Sequence, residues 1–351
     1  MTGKERMKAL LEGRPIDRTP VGGWYHMPLV DRNVEEFTNE LIASTDCNRW
    51  DFIKIMSNGH FYTEAFGGEV QFSTTFNKWN GTISRYPIHS AEDARKLPVL
   101  GIDNPVWQRE TQVLRNLKEH YGDKLPILPT LFTPLTAVQD CIASLNPAPV
   151  IQLMQEAPDA LHSALEAVTQ SNINYLESVL EAGADGIFIA NQHAAGNILS
   201  NAQYEEFCLP YEMRIMECCK GRTWLNIAHI HGVSNLRIDR YLQYGDDILQ
   251  VVNWENCPGS LSAEEATTIA EVRAKTTKVI AAGIDHLHDF TSAGGDRKVI
   301  KGVLEKRYRQ AKSENGGNRF IFSPGCVLPT GGSPLNSLIC EVAEELGKSD
   351  M

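Results

Sequence analysis

The chain has 351 residues, 42% of them hydrophobic, with Lys+Arg 33, Asp+Glu 44 and a formal net charge of −11 at pH 7. That length can bury a core that needs no disulfide, and the acidic balance disfavours nonspecific binding to nucleic acid or anionic lipid, so small-molecule work is expected. The eight cysteines (47, 141, 208, 218, 219, 257, 326 and 340) form no Cys-x-x-Cys pair, which argues against a zinc ribbon or disulfide framework and for a reducing, cytoplasmic setting. No run approaches the roughly 18 apolar residues of a membrane span. The N-terminus leads into an amphipathic segment rather than a signal-peptide core.

Thr2 and Glu5 have capping-box spacing, which predicts a first helix from about Gly3 to Gly13. A strand at Thr19–Tyr25, with Pro20 near its start, delivers Trp24, Tyr25 and His26 at its end. A helix over Glu35–Ser44 and a strand over Asp51–Met56 follow, the strand ending in Ser57-Asn58-Gly59-His60. Between 69 and 88 two alternating runs flank Asn80-Gly81, the pattern of a β-hairpin, read as an excursion from the main fold. Helices over Ala91–Leu97 and Pro105–Tyr121 lead to a third strand at Pro126–Thr133. Of two further helices, Pro134–Leu145 and Asp159–Ala182, the second aligns Leu161, Leu165, Val168, Tyr175 and Val179 on one face. Four more strands, at 185–193, 222–232, 248–255 and 278–285, and an eighth at 319–326 complete the pattern. Eight short strands, nearly all separated by helical segments, predict one (β/α)8 barrel domain over 1–351, with an N-terminal helix and a hairpin between strands 2 and 3.

In such a barrel the active site lies at the C-terminal strand ends, which here are polar. They offer His26, Asn58, His60, Thr133, Asn191, Gln192, His193, His229, His231, Trp254, Glu255, Asn256, Asp285, His286 and Cys326, and six of the ten histidines are among them. The fifth strand, Arg222-Thr-Trp-Leu-Asn-Ile-Ala-His-Ile-His-Gly, puts His229 and His231 on one face. Such a pair either ligates a divalent metal with a third donor, or consists of one satisfied core histidine and one that binds an anion or caps a loop. Cys326, presented by the Pro324-Gly325 turn, is the natural third donor. Asn191, His193 and Asp285 are candidates for catalytic positioning, and Tyr25, His26, Asn58 and Trp254 for substrate contact.

The chain resembles the uroporphyrinogen decarboxylase family, including its corrinoid-dependent methyltransferase branch. The matching segments are Gly13-Arg-Pro-Ile-Asp-Arg-Thr-Pro-Val, Glu181-Ala-Gly-Ala-Asp-Gly-Ile-Phe-Ile-Ala, Phe207-Cys-Leu-Pro-Tyr, His229-Ile-His-Gly and Phe322-Ser-Pro-Gly-Cys-Val-Leu-Pro. The decarboxylases of that family carry Met-Arg-Gln-Ala-Gly-Arg after the first strand, to grip a polycarboxylate. This chain has Trp24-Tyr-His-Met-Pro-Leu there and lacks both arginines. The methyltransferase branch carries zinc ligands spelled His-x-Cys and Gly-Cys-x-Leu-Pro; His229 and Cys326 match them, and His231 stands where cysteine is expected. The resemblance therefore implies a zinc site at His229, His231 and Cys326, methyl transfer to or from a small thiol or methoxy compound, and a corrinoid (methylcobamide) carried by a separate protein. A homodimer is a further family expectation. The alternatives are a metal-free decarboxylase or lyase that uses the two histidines as acid and base, and a non-catalytic small-molecule binding protein.

Overall fold

The N-terminal capping box forms as its spacing predicts: Glu5 N–H donates to Thr2 Oγ1 at 3.2 Å, Thr2 N–H donates to the Glu5 carboxylate at 2.8 Å, and the helix Gly3–Leu11 starts there. The computed structural model describes residues 1–76, 81–257, 266–291, 294–317, 319–329 and 332–347. Its strands are β1 (Ile53–Lys54), β2 (Glu69–Gln71), β3 (Thr82–Arg85), β4 (Ile127–Leu128), β5 (Thr130–Phe132), β6 (Phe188–Asn191), β7 (Ile227–Ile230), β8 (Val251–Trp254), β9 (Val279–Ile284) and β10 (Phe320–Pro324). Strands β5 to β10 form one parallel six-stranded sheet, ordered β10-β9-β8-β7-β6-β5, and β1 pairs in parallel with β4. Helices separate most successive parallel strands, so the fold is α/β with a parallel sheet.

Backbone bonds continue past the strand ends. Phe322 N–H donates to Pro20 O, Asp51 N–H to Val21 O, Ile53 N–H to Pro126 O and Ile55 N–H to Leu128 O, each at 2.9 Å. They run from β10 through residues 20–22 and 51–55 to the segment holding β4 and β5. Two departures from the sequence reading lie along this path, and both are proline effects. The segment expected as a strand at Thr19–Tyr25 contributes one bridge, Val21 to Phe322, because Pro20 has no N–H to give. The third expected strand is split into β4 and β5 at Pro129 for the same reason. A further helix, Ala148–Glu156, lies between the two expected ones, and its Pro149 falls in the first helical turn, where proline is at home. The helix Val34–Asn48 outruns the expected Ser44, and β2 and β3 pair antiparallel, Glu69 opposite Arg85. Asn80 of the expected turn lies outside the described residues.

Alternation along the parallel strands builds two apolar layers. Phe52, Phe188, Ile227, Val251, Val279 and Ile321 point inward to one cluster, while Ile53, Ile189, Ile230, Val252 and Ile280 pack outward in a second cluster with the helices. In the helix Pro158–Glu181 all five residues aligned by sequence spacing are fully buried, each worth about 1.5–3 kcal/mol. Among the described residues no helix is long and apolar enough to cross a membrane.

Asp31 is buried without a hydrogen-bond partner on either carboxylate oxygen among the described residues. Burial, reinforced by the Glu110 carboxylate, pushes its carboxyl up to about 7. Because the folded value lies above the unfolded one, the folded state holds this proton longer, and stability is lost as pH rises from about 4 to 7. Asp31→Asn is therefore expected to raise stability by about 1–3 kcal/mol at pH 8, a gain that fades towards pH 4. Thermal unfolding of both proteins across that range is the check, and a pH-independent difference would contradict this assignment.

Candidate metal centre

Strand β7 lies between β6 and β8, in a register that sets His229 opposite Asn253. Alternation turns His229 and His231 to the same face, and Gly232 then turns the chain at φ +122°. Its N–H donates to Glu255 Oε2 at 2.7 Å, while Glu255 Oε1 stands 3.2 Å from His231 Nδ1. Cys326 arrives from the end of β10, where Gly325 passes so close to β8 that an added Cβ would lie 2.6 Å from Asn256 N. Only glycine permits that approach, and it brings Cys326 Sγ to 3.7 Å from His229 Nε2. Donor atoms of His229, His231 and Cys326 all lie within 4.8 Å of one another.

The tautomer of His229 follows from its neighbour. Asn253 Nδ2 donates to Ala281 O at 2.7 Å and Pro324 O at 3.1 Å, so Oδ1 must face His229 Nδ1, 2.6 Å away. An amide oxygen only accepts, hence Nδ1 carries the proton and the Nε2 lone pair faces Cys326. Burial, then the neighbouring His231 and Lys54, hold the His229 imidazole well below its usual value, which keeps it neutral. Such an outer partner fixes ligand orientation, typically at about 10–100-fold in metal affinity. Asn253→Ala is accordingly expected to weaken zinc binding by about that factor in competition with a chromophoric chelator. An unchanged affinity in a folded variant would remove Asn253 from this role.

Charge in the site is set by burial. It pushes the Cys326 thiol up to about 12, with the Glu255 carboxylate adding to the effect, so without a metal the sulfur stays protonated. Lys54 projects inward from β1 with its Nζ 4.3 Å from the Phe188 ring centroid and 2.9 Å from Met56 Sδ, and burial pulls its ammonium down to about 7. One sulfur and two imidazole donors, mutually close, suit zinc, whereas magnesium or calcium would demand oxygen.

The other residues singled out by sequence have contacts of their own. Asn191 Nδ2 donates to the buried Glu212 carboxylate at 3.0 Å and contacts Tyr241 Oη at 2.7 Å, and its Oδ1 accepts the His193 N–H. His193 is fully buried, with Nε2 2.7 Å from Gln139 Oε1. Asp285 accepts the Leu287 and His288 N–H groups and pairs with the His288 ring. Asn58 accepts the His60 N–H and donates to Glu64, Trp254 donates its indole N–H to Thr267 O, and Tyr25 packs in the outer core cluster. His26 is buried, its imidazole driven down to about 3 by burial and by Lys54. Sequence reasoning gave no role to Asn253 or Lys54. Their signal is a polar residue at an inward position of an otherwise apolar strand.

The uroporphyrinogen decarboxylase (URO-D) family model matches residues 2–339. The chain belongs to the uroporphyrinogen decarboxylase family. Family relatives include a methylcobamide:CoM methyltransferase MtaA of Methanosarcina barkeri strain Fusaro, 23% identical over 340 residues with 93% of each chain covered. They also include a uroporphyrinogen decarboxylase of Geotalea daltonii, 24% identical over 344 residues with 91% of each covered. A solved methyltransferase from Methanosarcina mazei shares the fold, with TM-score 0.74, 19% identity and 99% of each chain covered. Both enzyme types thus stand at similar identity, and the choice between them rests on the site.

Proposed function

We propose that this chain is a zinc-dependent methyltransferase built on a closed (β/α)8 barrel, acting in the cytoplasm on a small thiol or a methoxy compound. Its methyl carrier would be a corrinoid, held by a separate protein. The observation that carries this reading is the mutual approach of His229, His231 and Cys326, whose donor atoms lie within 4.8 Å of one another at the ends of β7 and β10. Support for barrel closure comes from the backbone bonds linking β10, residues 20–22, 51–55 and β4. Support for the methyl carrier comes from the relative named as a methylcobamide:CoM methyltransferase.

In this reading the two imidazoles and the Cys326 thiolate hold the ion. When bound, zinc would supply Lewis-acid polarisation of a substrate sulfur or oxygen. Asn253 holds the His229 tautomer, and Glu255 orients His231. Asn58, Trp254 and Tyr25 hold the walls in place, and Asp285 holds the turn after β9. One thiolate in place of two leaves the centre more positive, which extends its reach from thiols to ether oxygens.

A metal-free decarboxylase is the second reading, favoured by the Geotalea relative. Against it stands the absence of arginine from Trp24-Tyr-His-Met-Pro-Leu, where a polycarboxylate would need bidentate partners. Metal analysis of untagged protein tests the proposal. At least one zinc per chain is expected, and Cys326→Ala and His231→Ala should lose it while folded. A chain that takes up no zinc after reconstitution would sink the methyltransferase reading.

A further inference from the structure

We propose that a cleft at the N-terminal ends of the parallel strands, away from the metal centre, binds a small phosphate ester that carries a flat ring, a mononucleotide in class. The cleft holds about 560 Å³, within the roughly 300–1000 Å³ of small-molecule sites. One wall is the helix Gly3–Leu11, which turns Lys8 and Leu11, about one helical turn apart, to the same side. The facing wall holds Trp224, ahead of β7, and Arg319, next to the start of β10. Those two strands carry His229, His231 and Cys326 at or near their other ends, so an occupant of the cleft is not a substrate of the metal centre.

The charges lining the cleft do not cancel. Each carboxylate there already faces a cation: Asp246 takes Lys278 Nζ at 2.8 Å, Asp247 stands 3.6 Å from Lys220, and Glu12 pairs with Arg14. Lys8 and Arg319 have no carboxylate within 4.0 Å among the described residues; Lys8 Nζ lies 5.2 Å from the Trp224 ring centroid. Arg319 is half-buried, its Nε is buried without a partner, and its bond from Nη2 to Leu11 O is long at 3.4 Å. Beside it Arg273 directs its guanidinium to Asn315 Oδ1 and to the backbone oxygens of Thr276 and Arg319, and burial together with the Arg319 charge pulls its pKa down. A guanidinium partly out of water with no anion to face is costly, and an incoming anion removes that cost.

Two cations facing one space match a dianion, and a phosphate monoester carries about −1.5 to −2 charges at neutral pH. Arginine forks onto phosphate with parallel bonds, while lysine meets it as a point charge. The indole supplies the apolar half. Trp224 is half-buried, and its Nε1 donates to Asp185 Oδ1 at 3.0 Å, which fixes the ring as a flat surface for an aromatic base.

The test is isothermal titration calorimetry of the full chain with AMP, inorganic phosphate and adenosine. AMP is expected to bind once per chain, about tenfold or more tighter than phosphate or adenosine, and Lys8→Gln and Arg319→Gln should each weaken it about tenfold. Lys8 is exposed, so Lys8→Gln decides the matter even where Arg319→Gln fails to fold. His231→Ala, at the metal centre, should bind AMP as wild type does. No AMP binding, AMP binding no tighter than adenosine, or an affinity unchanged in Lys8→Gln overturns the site. Loss of AMP binding in His231→Ala would place AMP at the metal centre and overturn it as well. The proposed function is independent of all these results.

Discussion

Cys326→Ala is expected to weaken zinc binding by about 10²–10³-fold and to abolish methyl transfer at ordinary zinc concentrations. Protein zinc sites are worth about 10–16 kcal/mol at neutral pH, so one donor among three or four carries about 3–4 kcal/mol. The structure adds a pH signature. Burial and Glu255 push the metal-free thiol up to about 12, so binding must expel one proton from Cys326. Burial, with His231 and Lys54 beside it, holds the His229 imidazole neutral, so that ligand has no proton of its own to expel. Between about pH 8 and 10 the wild-type affinity is therefore expected to rise about tenfold per pH unit, whereas that of Cys326→Ala stays nearly flat. Competition titrations against a chelator of known proton behaviour measure both slopes. Equal slopes in the two proteins would show that Cys326 is not a ligand.

Asp51→Ala carries the largest expected stability loss, about 3–5 kcal/mol. Asp51 is buried and accepts two bonds from Arg18, at 2.6 and 3.1 Å, one from the Val21 N–H at 2.7 Å, and one from Arg6. Removing the carboxylate leaves two buried guanidiniums facing each other without it, and it frees the Val21 N–H next to the single bridge to β10. Leucine or alanine at the arginine positions would be milder, since the uncompensated charge is the costly part. Urea unfolding of wild type and Asp51→Ala gives the difference directly; a loss under about 1 kcal/mol would mean that this network is not what fastens residues 20–22 to the sheet.

What the sequence made legible follows from which forces are local. Capping at Thr2 and Glu5 and the buried stripe from Leu161 to Val179 depend on spacing alone, and both form as read. The pairing of His229 with Cys326 is a contact between residues 97 positions apart, legible through strand-end placement and through the family motifs. Asn253 and Glu255 were harder to assign. Their roles depend on parallel register between β7 and β8, which no local pattern reveals. The first strand is shorter than its pattern predicts because alternation marks where a strand is apolar, while Pro20 limits the ladder bonds it can make. Glu212, the buried acceptor for Asn191, Tyr204 and Tyr241, sits on a helix whose sequence gives no sign that this carboxylate turns inward.

The measurement that tests the central claim most directly is methyl exchange with free methylcobalamin. Zinc-loaded and chelator-stripped protein would be compared in the presence of β-mercaptoethanol, and again in the reverse sense with reduced cobalamin and a methoxylated aromatic, following the corrinoid spectrum. The account predicts methyl loss or gain with the zinc-loaded protein in at least one direction, none with the stripped protein, and recovery on returning zinc. Corrinoid turnover indifferent to zinc, or no corrinoid turnover by a zinc-loaded protein that releases carbon dioxide from a carboxylated substrate, would contradict it.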